Sequence, residues 1–355
     1  MTRTPSPMIR GWRPAAEPTP PAHLRLWPLC LVPVLLLGAA CLLLHAPQPD
    51  TQVFPLHAPV VTPQPVQVSS LPPRVTDALP VGELHHLSVP TQRLMQGRML
   101  LIDEHHPLPD GYTPADTLAV LHYTQGRVLC RDLTAVSGQD TLDALTELFI
   151  AARNDRIIQL TVFAGTRSSE QQRILQTDAL ADFSRDMPLE DALLAARQAV
   201  ASPECSEHQT PWAVDIRVCP VWNGAPENAP YAASAAGQWL TANCWRYGFI
   251  LRWPQASPQP HSCRAWHLRY VGRAHAMLMH ALGVSFEEYL DLLHEYGTLT
   301  LLNENGAPLC AAVCQPAGEH QTSFQLPQAE IDDLSLDNQG WAIAACLFTE
   351  PFATP

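Results

Sequence analysis

Ten residues constrain this chain more than any others: Ser206-Glu207-His208-Gln209-Thr210-Pro211-Trp212-Ala213-Val214-Asp215, answered about fifty residues later by Trp266-His267-Leu268-Arg269-Tyr270. Over residues 212–218, Val214, Ile216 and Val218 share one side and Ala213, Asp215 and Arg217 the other, the period of a strand. In residues 266–271 the apolar Trp266, Leu268 and Tyr270 share a face, while His267 and Arg269 point the opposite way. Each strand therefore buries one face and offers a ligand from the other. His208 precedes Asp215 by an odd number of residues, so an unbroken strand would point them to opposite faces. A bend at Thr210-Pro211 resolves this, because proline fixes φ and does not sit in a central strand. Two imidazoles and one carboxylate make a three-ligand zinc set, with a fourth position left for water or substrate.

The N-terminal quarter is of a different kind. Residues 1–25 carry Arg3, Arg10, Arg13 and Arg25 against Glu17 alone, and residues 26–44 carry no charge. Such a run is long enough to span a bilayer. The arginine-rich side should stay in the cytoplasm, so 1–25 is expected inside, 26–45 as a transmembrane anchor and the rest outside the cell membrane, single-pass. A cleaved signal is the competing reading, but no small-x-small site follows the run. Gly38-Ala39-Ala40-Cys41 is continued by three leucines, so a retained anchor is the expectation. Residues 46–80 are rich in Pro, Val, Thr and Gln with almost no charge, an extended spacer stiffened locally by polyproline geometry.

Residues 81–296 mix strands with helices. Leu142, Leu145, Leu148 and Phe149 have helical spacing, residues 157–163 form a β-branched run leading into Gly165-Thr166-Arg167, and helical patterns return at 168–175, 189–200, 273–282 and 286–295. Residues 297–355 change to short alternating runs separated by turn residues. The expected class is α+β: an antiparallel sheet with flanking helices carrying the His/Asp/His site, plus a small C-terminal all-β module and the N-terminal transmembrane helix.

Composition removes several kinds of chemistry. A net charge of -13 gives no basic footprint for nucleic acid. All 21 basic residues are arginine, so Schiff-base chemistry and a Ser-x-x-Lys nucleophile are excluded. Eight of the ten cysteines lie beyond the apolar run, in a compartment that permits disulfides. Cys205 and Cys219 bracket the first motif and Cys244 and Cys263 the approach to the second; these are the first pairs expected to bridge, although spacing alone does not fix connectivity.

The segments SEHQTPWAVD and RAWHLRYVG, preceded by WLTANCWRYGFILRWP, resemble those of the VanY-type D-alanyl-D-alanine carboxypeptidases, zinc enzymes that trim peptidoglycan stem peptides. LIDEHHPLPDGY and AGTRSSEQQ look like that family's entry segment and arginine motif. The resemblance runs from about residue 98 to 292, with the motifs in the family's order. It implies His208, Asp215 and His267 as zinc ligands, and Arg167 as the group that grips a substrate carboxylate or oxyanion. Ser168, Gln172 and Ser206 become its hydrogen-bonding neighbours at the substrate. The family glutamate three residues before the second histidine, the general base, is here Arg264, and a guanidinium cannot accept a proton. Glu207 or Glu204 is the candidate replacement.

The resemblance thus implies a membrane-anchored zinc carboxypeptidase acting on peptidoglycan stem peptides, with impaired activity. The alternative it leaves open is a catalytically silent relative, binding stem peptides or a protein partner in the same cleft.

Overall fold

The computed structural model describes residues 71–158, 160–218, 234–253 and 266–348. The expected anchor, most of the spacer, Arg264, Cys219 and Cys263 lie outside these residues. Among the described residues no helix is long and apolar enough to cross a membrane.

The architecture is mixed α/β with antiparallel sheets. In chain order come β1 (Val75–Thr76), β2 (Leu84–Pro90), β3 (Thr117–Ala119), β4 (Val136–Gly138), α1 (Gln139–Asn154) and β5 (Leu160–Ala164). Helices α2 (Ser169–Phe183) and α3 (Leu189–Ala199) precede β6 (Ala213–Val218). There follow α4 (Ala235–Asn243), β7 (Phe249–Leu251), β8 (His267–Tyr270), α5 (Arg273–Leu282) and α6 (Phe286–Tyr296). Strands β9 (Thr298–Leu302), β10 (Pro308–Pro316), β11 (Gln321–Pro327), β12 (Glu330–Leu336) and β13 (Trp341–Leu347) close the chain.

The sheet that matters for function has the order β5-β6-β8-β7, each neighbour antiparallel. Its inner face presents Val162, Val214, Ile216 and Leu268, all fully buried. Leu142, Leu145, Leu148 and Phe149 of α1 belong to the same core, as their three- and four-residue spacing predicts. Burying such a side chain stabilises by about 1.5–3 kcal/mol, so this face fixes which way β6 and β8 turn their polar residues.

A second core lies under a five-stranded sheet of order β1-β9-β10-β13-β12. Phe286, Tyr289, Leu290 and Leu293 of α6 and Met277 of α5 pack there with Leu299, Ala312 and Ile343. The C-terminal strands, read as a small β module, therefore share their core with helices rather than closing on themselves. Val75–Thr76, inside the segment read as spacer, pairs with Leu301 and Thr300, and β2 pairs with β11. The edges of this region are completed by chain more than two hundred residues away, which no local pattern announces.

Helix α6 is bounded by residues suited to the task. Ser285 accepts from the Glu288 amide while the Glu288 side chain accepts from the Ser285 amide, a reciprocal cap. Gly297, at φ +67°, ends the helix in a left-handed conformation that costs glycine nothing. The cap fixes the position of Glu287, in the first turn, at the rim of the cleft.

Candidate metal centre

Register brings two of the three expected ligands together. Asp215 of β6 is directly opposite His267 of β8, with Ala213 opposite Arg269. Cross-strand partners of this kind share a face, and here it is the face turned away from the hydrophobic core. His208 reaches the same place from a 3-10 turn, Glu207–Gln209, held by the Thr210 hydroxyl and amide, which donate to the Glu207 carbonyl at 2.6 and 3.0 Å. Just beyond the turn, the Pro211 carbonyl accepts from the Ser137 and Thr141 hydroxyls and the Gly138 amide, at 2.9, 2.8 and 3.1 Å. The bend expected at Thr210-Pro211 is thus a short helical turn ending in extended backbone and pinned to the start of α1.

His208 Nδ1–H donates to the Gly165 carbonyl at 2.7 Å. A carbonyl can only accept, so the proton sits on Nδ1 and Nε2 carries the lone pair. Gly165 itself packs against the Val136 backbone, where a Cβ would meet the Val136 carbonyl oxygen at 2.3 Å. His208 Nε2 is buried, makes no hydrogen bond and lies 3.3 Å from Asp215 Oδ1. His267 Nδ1 lies 3.0 Å from the same oxygen. One donor atom from each of the three residues falls within 4.8 Å of the others, and all three residues are buried. A metal ion would satisfy the orphaned Nε2 and take the place of the close contacts around Asp215. Two imidazoles and a carboxylate are a zinc donor set with an open position, so the residues fit the metal.

Electrostatics agree with that fit. Burial first, and the Arg167 guanidinium second, push the His208 imidazole down to about 4, leaving it neutral as a ligand must be. Burial opposes ionisation of Asp215, yet its contacts with His208 and His267 hold it well below the usual carboxylate range. Burial also opposes charge on His267, but hydrogen bonds to Asp215 and Glu207 raise it above its ordinary value.

The other expected site residues are placed differently from one another. Arg167 lines the cleft, with Nη2 3.7 Å from Asp215 Oδ2 and Nη1 donating to Gln172 Oε1 at 3.4 Å. Gln172 is buried and donates in turn to the Ala201 carbonyl at 2.8 Å, so it aims Arg167. Ser206 is buried in the cleft wall. Ser168, expected beside the substrate, is the N-cap of α2, its hydroxyl accepting from the Gln171 amide at 3.1 Å. Ser168-Ser169-Glu170-Gln171 is itself a capping-box sequence, and that signal explains the residue.

Glu207, the candidate proton acceptor, is committed elsewhere. Its Oε1 accepts from Arg252 Nε at 2.8 Å and Arg269 Nη1 at 2.5 Å, and its Oε2 from His267 Nε2–H at 3.0 Å. Burial opposes its charge, but the two guanidiniums hold it ionised far into acid. A carboxylate with both oxygens engaged and so low a proton affinity is a poor general base. Glu204, the other candidate, accepts from the Ser169 hydroxyl at 2.7 Å, away from the cleft lining.

The cleft, about 160 Å³, is also lined by residues to which the sequence assigned no role: Ile102, Asp103, Leu175, Arg252, Trp253 and Glu287. The Trp253 ring lies 4.8 Å from that of His267. Its segment, FILRWP, is one of those carrying the resemblance. Cys205 and Cys244 form no disulfide among the described residues, and their expected partners lie outside these.

A cleft floored by two strands, with a histidine, an aspartate and a second histidine converging on one point beside an arginine, defines a candidate mononuclear zinc hydrolase site. Residues 136–273 match the family model of VanY, D-alanyl-D-alanine carboxypeptidase. It is 29% identical over 197 residues to the putative carboxypeptidase YodJ of Bacillus subtilis (strain 168), covering 54% of this chain and 67% of that protein. It is 33% identical over 150 residues to a D-alanyl-D-alanine carboxypeptidase of Enterococcus faecalis (strain ATCC 700802 / V583), covering 41% and 53%. The matches thus span about half to two thirds of these relatives. Among solved structures, the vancomycin-resistance D,D-dipeptidase VanXYg, in complex with a D-Ala-D-Ala phosphinate analogue, aligns at TM-score 0.56 and 21% identity. That alignment covers 75% of this chain and 100% of that one, a likeness of fold.

Proposed function

We propose that this protein is a zinc-dependent carboxypeptidase of the D-alanyl-D-alanine type, acting on peptidoglycan stem peptides with reduced turnover. The observation that carries the reading is the buried trio of His208, Asp215 and His267, with its orphaned nitrogen beside Arg167. Zinc, when bound, supplies Lewis-acid polarisation of the scissile carbonyl and a more acidic water. Arg167, aimed by Gln172, donates to the peptide oxygen on which negative charge develops. Ser206 offers a hydroxyl from the cleft wall. Proton acceptance is the weak point: position 264 is an arginine, and Glu207 is held by two others. The same observation favours a second reading, a silent relative that binds stem peptides or a protein partner without turning them over.

The purified ectodomain, supplied with zinc, is expected to release D-alanine from a stem pentapeptide slowly and to stop when a chelator is added. Peptide binding with no release at any enzyme concentration would move the choice to the silent relative. Neither binding nor release would sink both readings.

The charge-free run at 26–44 supports an anchored protein with its cleft facing the cell wall. Protease added to intact, wall-stripped cells should digest the domain. Full protection until lysis would refute this topology.

A further inference from the structure

The metal-side geometry of His267 is set by the hydrogen bond at its other nitrogen. Nε2–H donates to Glu207 Oε2 at 3.0 Å, which leaves Nδ1 facing Asp215. Glu207 is in turn held from two sides. On one side Arg269 donates to Glu207 through Nη1 and to the carbonyls of Arg98 and Leu100 through Nη2, at 2.7 and 2.6 Å, so Arg269 is fixed by backbone. On the other side Arg252 uses all three of its nitrogens. Nε donates to Glu207 Oε1 at 2.8 Å, while Nη1 and Nη2 donate to Glu287 Oε2 and Oε1 at 2.9 and 2.6 Å.

We propose that Arg252 is a positioning residue for the metal centre, anchored at the cleft rim by Glu287 and acting through Glu207 on His267. The inference rests on the zinc reading of the trio. It concerns Arg252 and Glu287, which reach the trio through Glu207.

Three features support it. The first is the fork: only a guanidinium can serve one carboxylate with Nε and a second, bidentately, with its two Nη groups. The second is charge. Glu287, Arg252, Glu207 and Arg269 alternate in sign, so the buried Glu207 carboxylate keeps full compensation while its remaining oxygen serves the histidine. With Arg252 removed, Glu207 would be left buried with one of its two guanidinium partners, a costly state relieved by shifting toward Arg269. That shift weakens its hold on Nε2–H. The third is packing. The Arg252 side chain is 1% exposed and lies over Trp253 and Phe286 at 5.1 and 4.9 Å from the ring centroids, and Trp253 flanks the His267 ring. Losing the arginine therefore also loosens the wall beside the ligand.

An ion pair that served only the fold would leave the zinc affinity of correctly folded variants unchanged. The test uses R252Q, R252K and E287Q in the full chain, with zinc dissociation constants from competition against a chromophoric chelator. R252Q should bind zinc at least about tenfold more weakly, the range seen when outer-shell partners of a ligand are removed. R252K keeps the charge without the fork and should recover part of the loss. E287Q alters a carboxylate that is 40% exposed, so it keeps the fold even if R252Q does not, and should show a smaller weakening. Zinc affinity within twofold of the parent in folded R252Q, or in E287Q if R252Q fails to fold, overturns the proposal. A metal-free readout separates this from failure of the zinc reading itself: a slowly exchanging His267 Nε2–H proton resonance, lost in R252Q. If the parent binds no zinc, the zinc reading falls by itself. Persistence of that resonance in R252Q then overturns the positioning role, and its loss upholds it.

Discussion

His208→Ala and His267→Ala should each abolish stoichiometric zinc binding, where the parent chain is expected to bind one zinc per molecule. The two histidines supply two of the three protein donors, and all three residues are buried. The loss should exceed the ten- to hundredfold typical of outer-shell substitutions, and is expected to be at least about a hundredfold in affinity. Elemental analysis after gel filtration, with zinc supplied beforehand, measures it. Metal content unchanged in either variant would remove the assignment. The same titration should depend on pH in a defined direction. His208 is already neutral above about 4, so it does not oppose binding near neutrality. His267 is raised above its ordinary 6.5 and must give up a proton to become a ligand, so zinc binds more weakly as pH falls through that raised value.

Arg264→Glu should raise turnover of a D-Ala-D-Ala peptide by about a hundredfold or more, the contribution of one well-placed general base. Arginine supplies no proton acceptor at the position where the family motif carries one, and it is a permanent cation. Glutamate reverses both effects. Among the described carboxylates, Glu207 is engaged by Arg252, Arg269 and His267, and Glu287 is engaged by Arg252. Rate measurement on the zinc-loaded parent and variant decides the matter. High parental activity that the substitution leaves unchanged would mean that another group takes the proton, and would end the view that Arg264 limits the reaction. A silent parent that gains activity would mark a peptidase that lost its turnover by this change. Zinc binding with silence in both forms would leave the binding protein as the surviving reading.

Much of the site was legible because it is local. The two-residue period at 213–218 and 267–270 told which side chains face away from the core, since Val214, Ile216 and Leu268 have nowhere else to go than the face covered by α1. Leu142, Leu145, Leu148 and Phe149 announced that helix by their spacing. Ser168 carries a local signal of its own: its neighbours, ending in Gln171, spell a reciprocal helix cap, and its hydroxyl oxygen accepts from the Gln171 amide.

The sequence by itself determined the residue types of the trio, their strand faces and the need for a break between His208 and Asp215. These follow from backbone periodicity and proline stereochemistry, which act over a few residues. Only the tertiary structure decided that Asp215 lies opposite His267, that Glu207 is held by arginines rather than free to take a proton, and that Glu287 reaches the metal-ligand network through Arg252. It alone also decided that Val75 of β1 and strands β9, β10 and β13 share a core with α5 and α6. The reason is the same in each case. Buried charges are stable only when opposite charges arrive from other parts of the chain, and edge strands only when distant strands pair with them. Such partners stand 35 to more than 200 residues apart, a separation across which local spacing carries no information.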